Sequence, residues 1–328
     1  MLMISSATTI DTAGPGCNEV VTDAGYCVMA ATDITIAATL RASGPRPLVL
    51  VASGSITVAA GGLIDVGSHR GADPEFGAGA DPTTCGSGQA PTASSGSGIT
   101  SGGGAGGSFV GLGASGGDGD QGGTGGVSAQ GAASSQLRGG CPGQDGAGSP
   151  SSGTSGNFRG HGGGAVFLIA TREIDIQGNI NATGEGGGGG ARISTPDGGC
   201  GGGGGGSGGM IGFDAPVIRG SGLILASGGS GGGGGGERVR GADGVSPSTT
   251  SAAMGGAGAR NNQTDNVRVG GDGGAGSFAT GGPTDGERGT NDHVGTGGGG
   301  GGGGGTGVIK APATANLGAN ISPAMTTP

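Results

Sequence analysis

The chain has no tryptophan, a single tyrosine and a single lysine, and only 11% of its 328 residues are charged. Each shortage excludes something. Without aromatic platforms or a basic stripe, nucleic-acid binding has no footing. A phosphate-binding P-loop needs a lysine after its glycines, and the one lysine, Lys310, does not stand in that place. No apolar run approaches the ~18 residues of a membrane helix. No window shows a capped 3.6-residue apolar stripe, so α-helix is essentially absent from the expectation. The cysteines lack paired CxxC spacing and nearby histidines, which argues against zinc.

Glycine fills the space these residues leave, at 95 positions. It does not recur strictly every third residue, which excludes collagen. The net charge of −9 suits a surface that does not adhere to anionic membranes. Leu, Ile, Val and Phe are scarce but clustered, as a core requires and a disordered chain does not.

The apolar clusters repeat. Ile34, Ile36 and Leu40 align without a gap on Ile174, Ile176 and Ile180, and each unit closes on Ala then Ser/Thr-Gly. Ile56, Val58 and Ile64 form the same unit with two extra residues. Residues 217–228, with Ile224, are a looser copy, and 308–322 a degenerate terminal one. Upstream of three copies stands another short run: Leu48–Ala52, Val166–Ala170 and Met210–Ala215. Alternating Ile-x-Ile is the period-2 pattern of a strand with one buried face. Short strands, tight corners and a recurring register predict an all-β, β-solenoid-like core of three strands per coil. A β-sandwich is the alternative. The predicted ladder comprises Ile34, Ile36, Leu40, Ile56, Val58, Ile64, Ile174, Ile176, Ile180 and Ile224. The chain is read as one elongated domain, with core coils at 30–67, 165–184, 210–228 and 307–322.

Between the coils lie glycine-rich insertions at 68–164, 185–209 and 229–306. From Phe109 through Leu112, Ser115, Asp118, Gln121, Thr124, Val127 and Gln130, larger residues recur every third position. Period three matches an extended helix of the polyproline type, with three residues per turn. Such helices are expected to pack side by side as polyglycine II, with Ser115, Asp118, Gln121 and Thr124 on an outward face. Ordering glycine is costly in entropy, about 1–2 kcal/mol per residue, so mobile loops are the competing reading. Five cysteines are present. Cys17 and Cys27 form the natural local disulfide. Cys85, Cys141 and Cys200 allow at most one more, leaving an odd thiol that is free or joined to another chain. Such bridges favour an exported protein.

The succession Pro47–Val58, Gly162–Ala170, Ile174–Gly184, Gly201–Ile211, Leu223–Gly229 and Gly297–Lys310 resembles the glycine-rich exported surface proteins of myxobacteria and related predatory bacteria. The resemblance spans roughly residues 30–325 and departs from the usual pattern in its cysteines. It implies an envelope or extracellular location and little about activity. The opening Met1–Ser6 has neither a basic nor a long apolar region, so a signal peptide is not expected within this chain. Residues 322–328 read as the entrance to a linker.

Little chemistry emerges. Residues 116–120, with Asp118 and Asp120, approach a calcium-binding β-roll repeat, but Gln121 stands where an aspartate belongs and no tandem copy follows. His69, His161 and His293 lack a carboxylate at fixed spacing and read as exposed loop residues. Asp65, Asp175 and Asp214 do not occupy one place in the unit, so no catalytic carboxylate face is implied. The expectation is a non-enzymatic extracellular structural or adhesive protein without a cofactor, a stalk module or filament subunit whose partner is itself. The alternative is a binding module for cell-surface glycans or ice. The charge at Asp118 disfavours ice.

Overall fold

The computed structural model describes residues 1–14, 17, 25–71, 76–94, 100–131, 135–148, 158–192, 198–237, 239–247, 251–260, 269–291, 296–318 and 320–327. Its regular elements are all strands, with no α-helix among these residues. The chain lays down one strand in each of three sheets and then begins again. The first turn is β1 (Leu2–Ile4), β2 (Thr8–Asp11) and β3 (Cys27–Ala31). The second is β4 (Ile34–Ile36), β5 (Thr39–Ser43) and β6 (Leu48–Ala52). The third is β7 (Ser55–Val58), β8 (Leu63–Asp65) and β9 (Ala165–Ala170). The fourth is β10 (Glu173–Ile176), β11 (Asn179–Asn181) and β12 (Met210–Asp214). The fifth is β13 (Val217–Gly220), β14 (Ile224–Leu225) and β15 (Val308–Lys310), and β16 (Ile321–Ser322) and β17 (Met325–Thr326) close the stack.

The sheets run β1-β4-β7-β10-β13, β2-β5-β8-β11-β14-β16 and β3-β6-β9-β12-β15-β17, with every pairing parallel. Three parallel sheets differ from the antiparallel pair of a sandwich. Alternate residues of β4, β7 and β10 are buried, and partners stack in register: Ile34 on Ile56, Ile174 and Ile218. In the second sheet Leu40 stacks on Ile64, Ile180 and Ile224. All these side chains, with Ile36, Val58 and Ile176, belong to one buried cluster. Each buried isoleucine contributes about 1.5–3 kcal/mol relative to exposure.

Two boundaries differ from the sequence expectation. The stack begins at Leu2 rather than near residue 30, because Leu2 and Ile4 pair with Ile34 and Ile36. Into 322–328, read as the entrance to a linker, the stack still continues: Ile321 and Met325 pair with Ile224 and Ile309 in the second and third sheets. Cys17–Cys27 is a disulfide, tying the loop after β2 to β3, and Cys85–Cys141 is a second. Cys200 is a free, buried thiol.

All three glycine-rich insertions leave after a second-sheet strand and return at a third-sheet strand, so they depart from one corner of the stack. The sheets do not stop there. Beyond β11 and β14, backbone bonds continue from Gly184, Gly187 and Gly190 to Ser227, Ser230 and Gly233. Approaching β12 and β15, Gly202, Gly205 and Gly208 donate to Gly299, Gly302 and Gly305. The donors and acceptors both advance in threes.

The 198–209 segment shows the full pattern. Its N–H groups address three neighbours in rotation. Gly202, Gly205 and Gly208 donate to 299–305; Gly203, Gly206 and Gly209 to Gly188, Glu185 and Ala182; Gly201, Gly204 and Ser207 to Ala147, Gln144 and Cys141. Its carbonyls accept from three others. These are Gly104 and Gly107; Gly229, Gly232 and Gly235; Gly160 and Gly163. The 297–307 and 229–236 segments are surrounded in the same manner. A Cβ on Gly301 would lie 2.0 Å from the Gly203 carbonyl oxygen, and one on Gly204 2.0 Å from that of Ala105. Glycine is therefore required by the closeness of neighbouring backbones. Phe109, fully buried with Ala165, Met210 and Val308, seats this body against the outer side of the third sheet. The Arg138 guanidinium lies over its ring, 4.5 Å from the centroid.

Gly301→Ala is expected to destabilise the chain by about 2–3 kcal/mol, since only backbone displacement relieves the overlap. Gly282→Ala, where an added Cβ meets nothing within 4 Å, is expected to be near neutral. Paired thermal or urea melts read the difference.

Candidate functional site

The period-three residues of the first insertion do not share one continuous run. The chain reverses between segments: Gly103 and Gly106 donate to Gly117 and Ala114, and Gly116 and Gly119 donate to Gly126 and Gly123. Ser115 and Asp118 therefore lie on one segment, Gln121 at the reversal, where its N–H donates to Thr100 Oγ1 (2.8 Å), and Thr124 on the next segment. Asp118, Gln121 and Thr124 are exposed and Ser115 is half-buried. Phe109, first in the series, is buried instead of outward because it anchors the body to the third sheet.

Asp118 has a structural partner. Its Oδ1 accepts the Gly125 N–H at 2.8 Å. The same device recurs where a glycine-rich segment lacks a backbone acceptor in one direction. Asp285 accepts from Ser115 N at 2.7 Å, Asp243 from Gly189 N at 2.7 Å, and Asp272 from Gly258 N at 2.7 Å. Carboxylates thus supply the acceptor that another backbone would provide in the interior. Among the described residues no three His, Cys, Asp or Glu side chains gather as a metal ion would need.

Asp65, Asp175 and Asp214 lie on three different sheets, at β8, β10 and β12. Asp175 pairs with Arg219 on the outer face of the first sheet. Asp65 stands in register between Arg41 and Asn181. It receives Arg41 Nη1 at 2.9 Å, Asn181 Nδ2 at 3.0 Å and the Gly67 N–H at 3.1 Å. His69 Nε2 lies 3.0 Å from both carboxylate oxygens. Burial pushes the Asp65 carboxyl up, yet His69, Arg41 and the Gly67 N–H together hold it below the usual carboxylate value.

His69 and His161 are consequently not bare loop residues. His161 Nδ1 is 2.6 Å from Asp81 Oδ2, and both partners are half-buried. The His161–Asp81 contact joins residues 80 apart across glycine that carries no side-chain pattern, so spacing gave no warning of it, whereas His69 meets a carboxylate only four residues before it. His293 lies outside the described residues.

His161 lines a cavity of about 330 Å³ with charged walls, together with Arg70, Asp145, Phe158, Arg159 and Glu185. Glu185 is the charged residue of its glycine run and is buried to 1% side-chain exposure. Its Oε1 lies 2.8 Å from Arg70 Nη2, and its Oε2 accepts His161 N–H at 3.2 Å. Arg70 Nη2 also donates to Gly186 O at 2.6 Å. Asp81 Oδ1 accepts the Gly162 N–H at 2.8 Å from a left-handed backbone, φ 54°. Asp145 Oδ1 accepts the Arg159 N–H at 2.9 Å. Asp145 and Arg159 also form the wall of a second, adjoining cavity of about 450 Å³. Its other walls are the Gly86–Gly88 loop, Pro91, Pro142 and the Cys85 end of the second disulfide.

Burial pushes the Cys200 thiol up to about 11, which leaves it protonated and unreactive at neutral pH. No helix among the described residues is long and apolar enough to cross a membrane. No known family model, curated protein or solved structure matches the chain.

Asp118→Ala is expected to cost about 0.5–1.5 kcal/mol and to accelerate amide exchange at Gly125, with little change at Gly203. Asp65 acts through its charge. Its folded carboxyl lies below 3.8, so its stabilisation is complete above that value and is lost as pH falls through the lower folded value. Asp65→Asn is expected to flatten the acid limb of a stability–pH curve.

Proposed function

We propose that the chain is a non-enzymatic extracellular structural or adhesive protein. In this reading a β-solenoid carries its insertions as a bundle of polyglycine II helices. The observation that carries it is the rotation of backbone hydrogen bonds through three neighbours in three residues, each interior segment meeting six others. Three residues per turn is the helical repeat of the polyproline II family. A body built this way is held by main-chain bonds and is stiff without a large apolar core. Two disulfides support an oxidising compartment. The charged side chains with assigned partners serve as backbone acceptors and ion pairs, which suits a scaffold better than a reaction centre. As a stalk module, the chain holds surface loops at a fixed distance from its attachment. As a filament subunit, it stacks end to end through its terminal strands, by the edge-to-edge pairing that sheets permit.

A second reading is a binding module, and the charged cavity at Arg159 favours it over a passive stalk. Antibody labelling of intact, unpermeabilised cells of the producing organism tests the common ground of both. Surface label is expected, with four of the five cysteines resistant to alkylation until reduced. Label confined to permeabilised cells, with all thiols free, would overturn the extracellular reading. Electron microscopy of concentrated protein then separates rods longer than one chain from single particles.

A further inference from the structure

The groove beside the second disulfide has the chemistry of a ligand site, and its internal pairing indicates which ligand. Most of its charge is already used. Arg70 is held by Glu185 and the Gly186 carbonyl, and His161 by Asp81. Three groups remain directed to solvent. Arg159 is exposed, and among the described residues its guanidinium has no ion-pair partner. Asp145 uses Oδ1 for the Arg159 N–H and keeps its other oxygen. Phe158 leaves 55% of its surface exposed, an unusual position in a chain with only six phenylalanines.

We propose that this groove binds an acidic oligosaccharide, a chain of uronic-acid type with one carboxylate per sugar. The inference rests on the adhesive reading above and names its ligand class. An exposed ring takes the apolar face of a pyranose. A planar guanidinium takes a carboxylate through two parallel hydrogen bonds. A free carboxylate oxygen accepts sugar hydroxyls. The site continues past Asp145 and Arg159 into the second cavity, whose Gly-Ser-Gly loop and two prolines offer backbone groups and small flat surfaces. Two joined compartments fit successive units of a chain better than one compact molecule. Phosphate or a densely sulfated polymer suits it poorly. The neighbouring Asp145 and Glu185, and a net charge of −9, oppose concentrated negative charge. One unpaired arginine takes the carboxylate of one sugar, and the well-spaced carboxylates of its neighbours stay in solvent.

The binding is expected to be weak at a single site and to gain strength from many copies on a surface. The test is amide-shift titration of the full chain with tri-galacturonic acid, against neutral maltotriose. Shifts are expected at Gly143–Asp145 and Phe158–Arg159 with the acidic sugar and to be much smaller with the neutral one. Arg159→Ala is expected to weaken binding about tenfold or more, with partial recovery in Arg159→Lys. Asp145→Asn keeps the Oδ1 acceptor and is expected to weaken binding less. Unchanged glycine amide protection in each variant shows that the body is intact. No shift in the groove up to about 10 mM sugar, equal response to both sugars, or undiminished binding by Arg159→Ala overturns the proposal. Surface location is read independently by the labelling experiment, so either claim can fail alone.

Discussion

Everything in the glycine-rich body depends on how closely two backbones approach when no Cβ stands between them. An added methyl at Gly103, Gly201 or Gly301 would lie about 2 Å from a neighbour's carbonyl oxygen. That proximity lets interior N–H groups reach carbonyls on other segments, as buried backbone requires. The entropy lost in ordering glycine is large. The compensation is main-chain bonding in all directions, plus anchorage at both ends of every insertion. Each insertion is pinned by a paired strand on either side, and Cys85–Cys141 fastens the first one internally.

The strand stack and the glycine body are parts of one hydrogen-bonded arrangement. Neighbouring parallel strands sit about 4.8 Å apart. Strands β9, β12 and β15 therefore hold the ends of the three insertions at hydrogen-bonding distance before any glycine pairs. The bonds at Gly163, Gly208 and Gly209 carry that spacing outward. The isoleucine columns thus set the register and the glycines extend it. Where the extension ends, aspartates such as Asp118 and Asp243 take the place of the missing backbone.

What could be read in advance follows from which residues carry information. The Ile-x-Ile units were legible because one buried face imposes period two, and stacking demands the same residue type at each level. The first turn escaped, although Leu2, Ile4 and Ile10 keep the spacing, because Thr8 stands where Leu40 stands one turn later. The path of the insertions was illegible for a different reason. A run such as 297–305 looks the same after a shift of three residues, so its neighbours cannot be told from its letters. The pairs that fix the groove, Arg70 with Glu185 and His161 with Asp81, join segments separated by such runs. Nothing in their local spacing marked them, and the carboxylates capping free N–H groups looked like outward polar residues.

The threefold rotation of the hydrogen bonds also bears on how such a chain can change in length. Removing three residues from the middle of a segment returns each later N–H to the neighbour its predecessor faced. Removing one turns all of them by a third of a revolution, toward neighbours whose own groups are already engaged. The body tolerates growth and shrinkage in triplets of amino acids and resists single steps. Its evolution is thereby quantised, and length differences among descendants of this chain, counted within one segment, should fall on multiples of three.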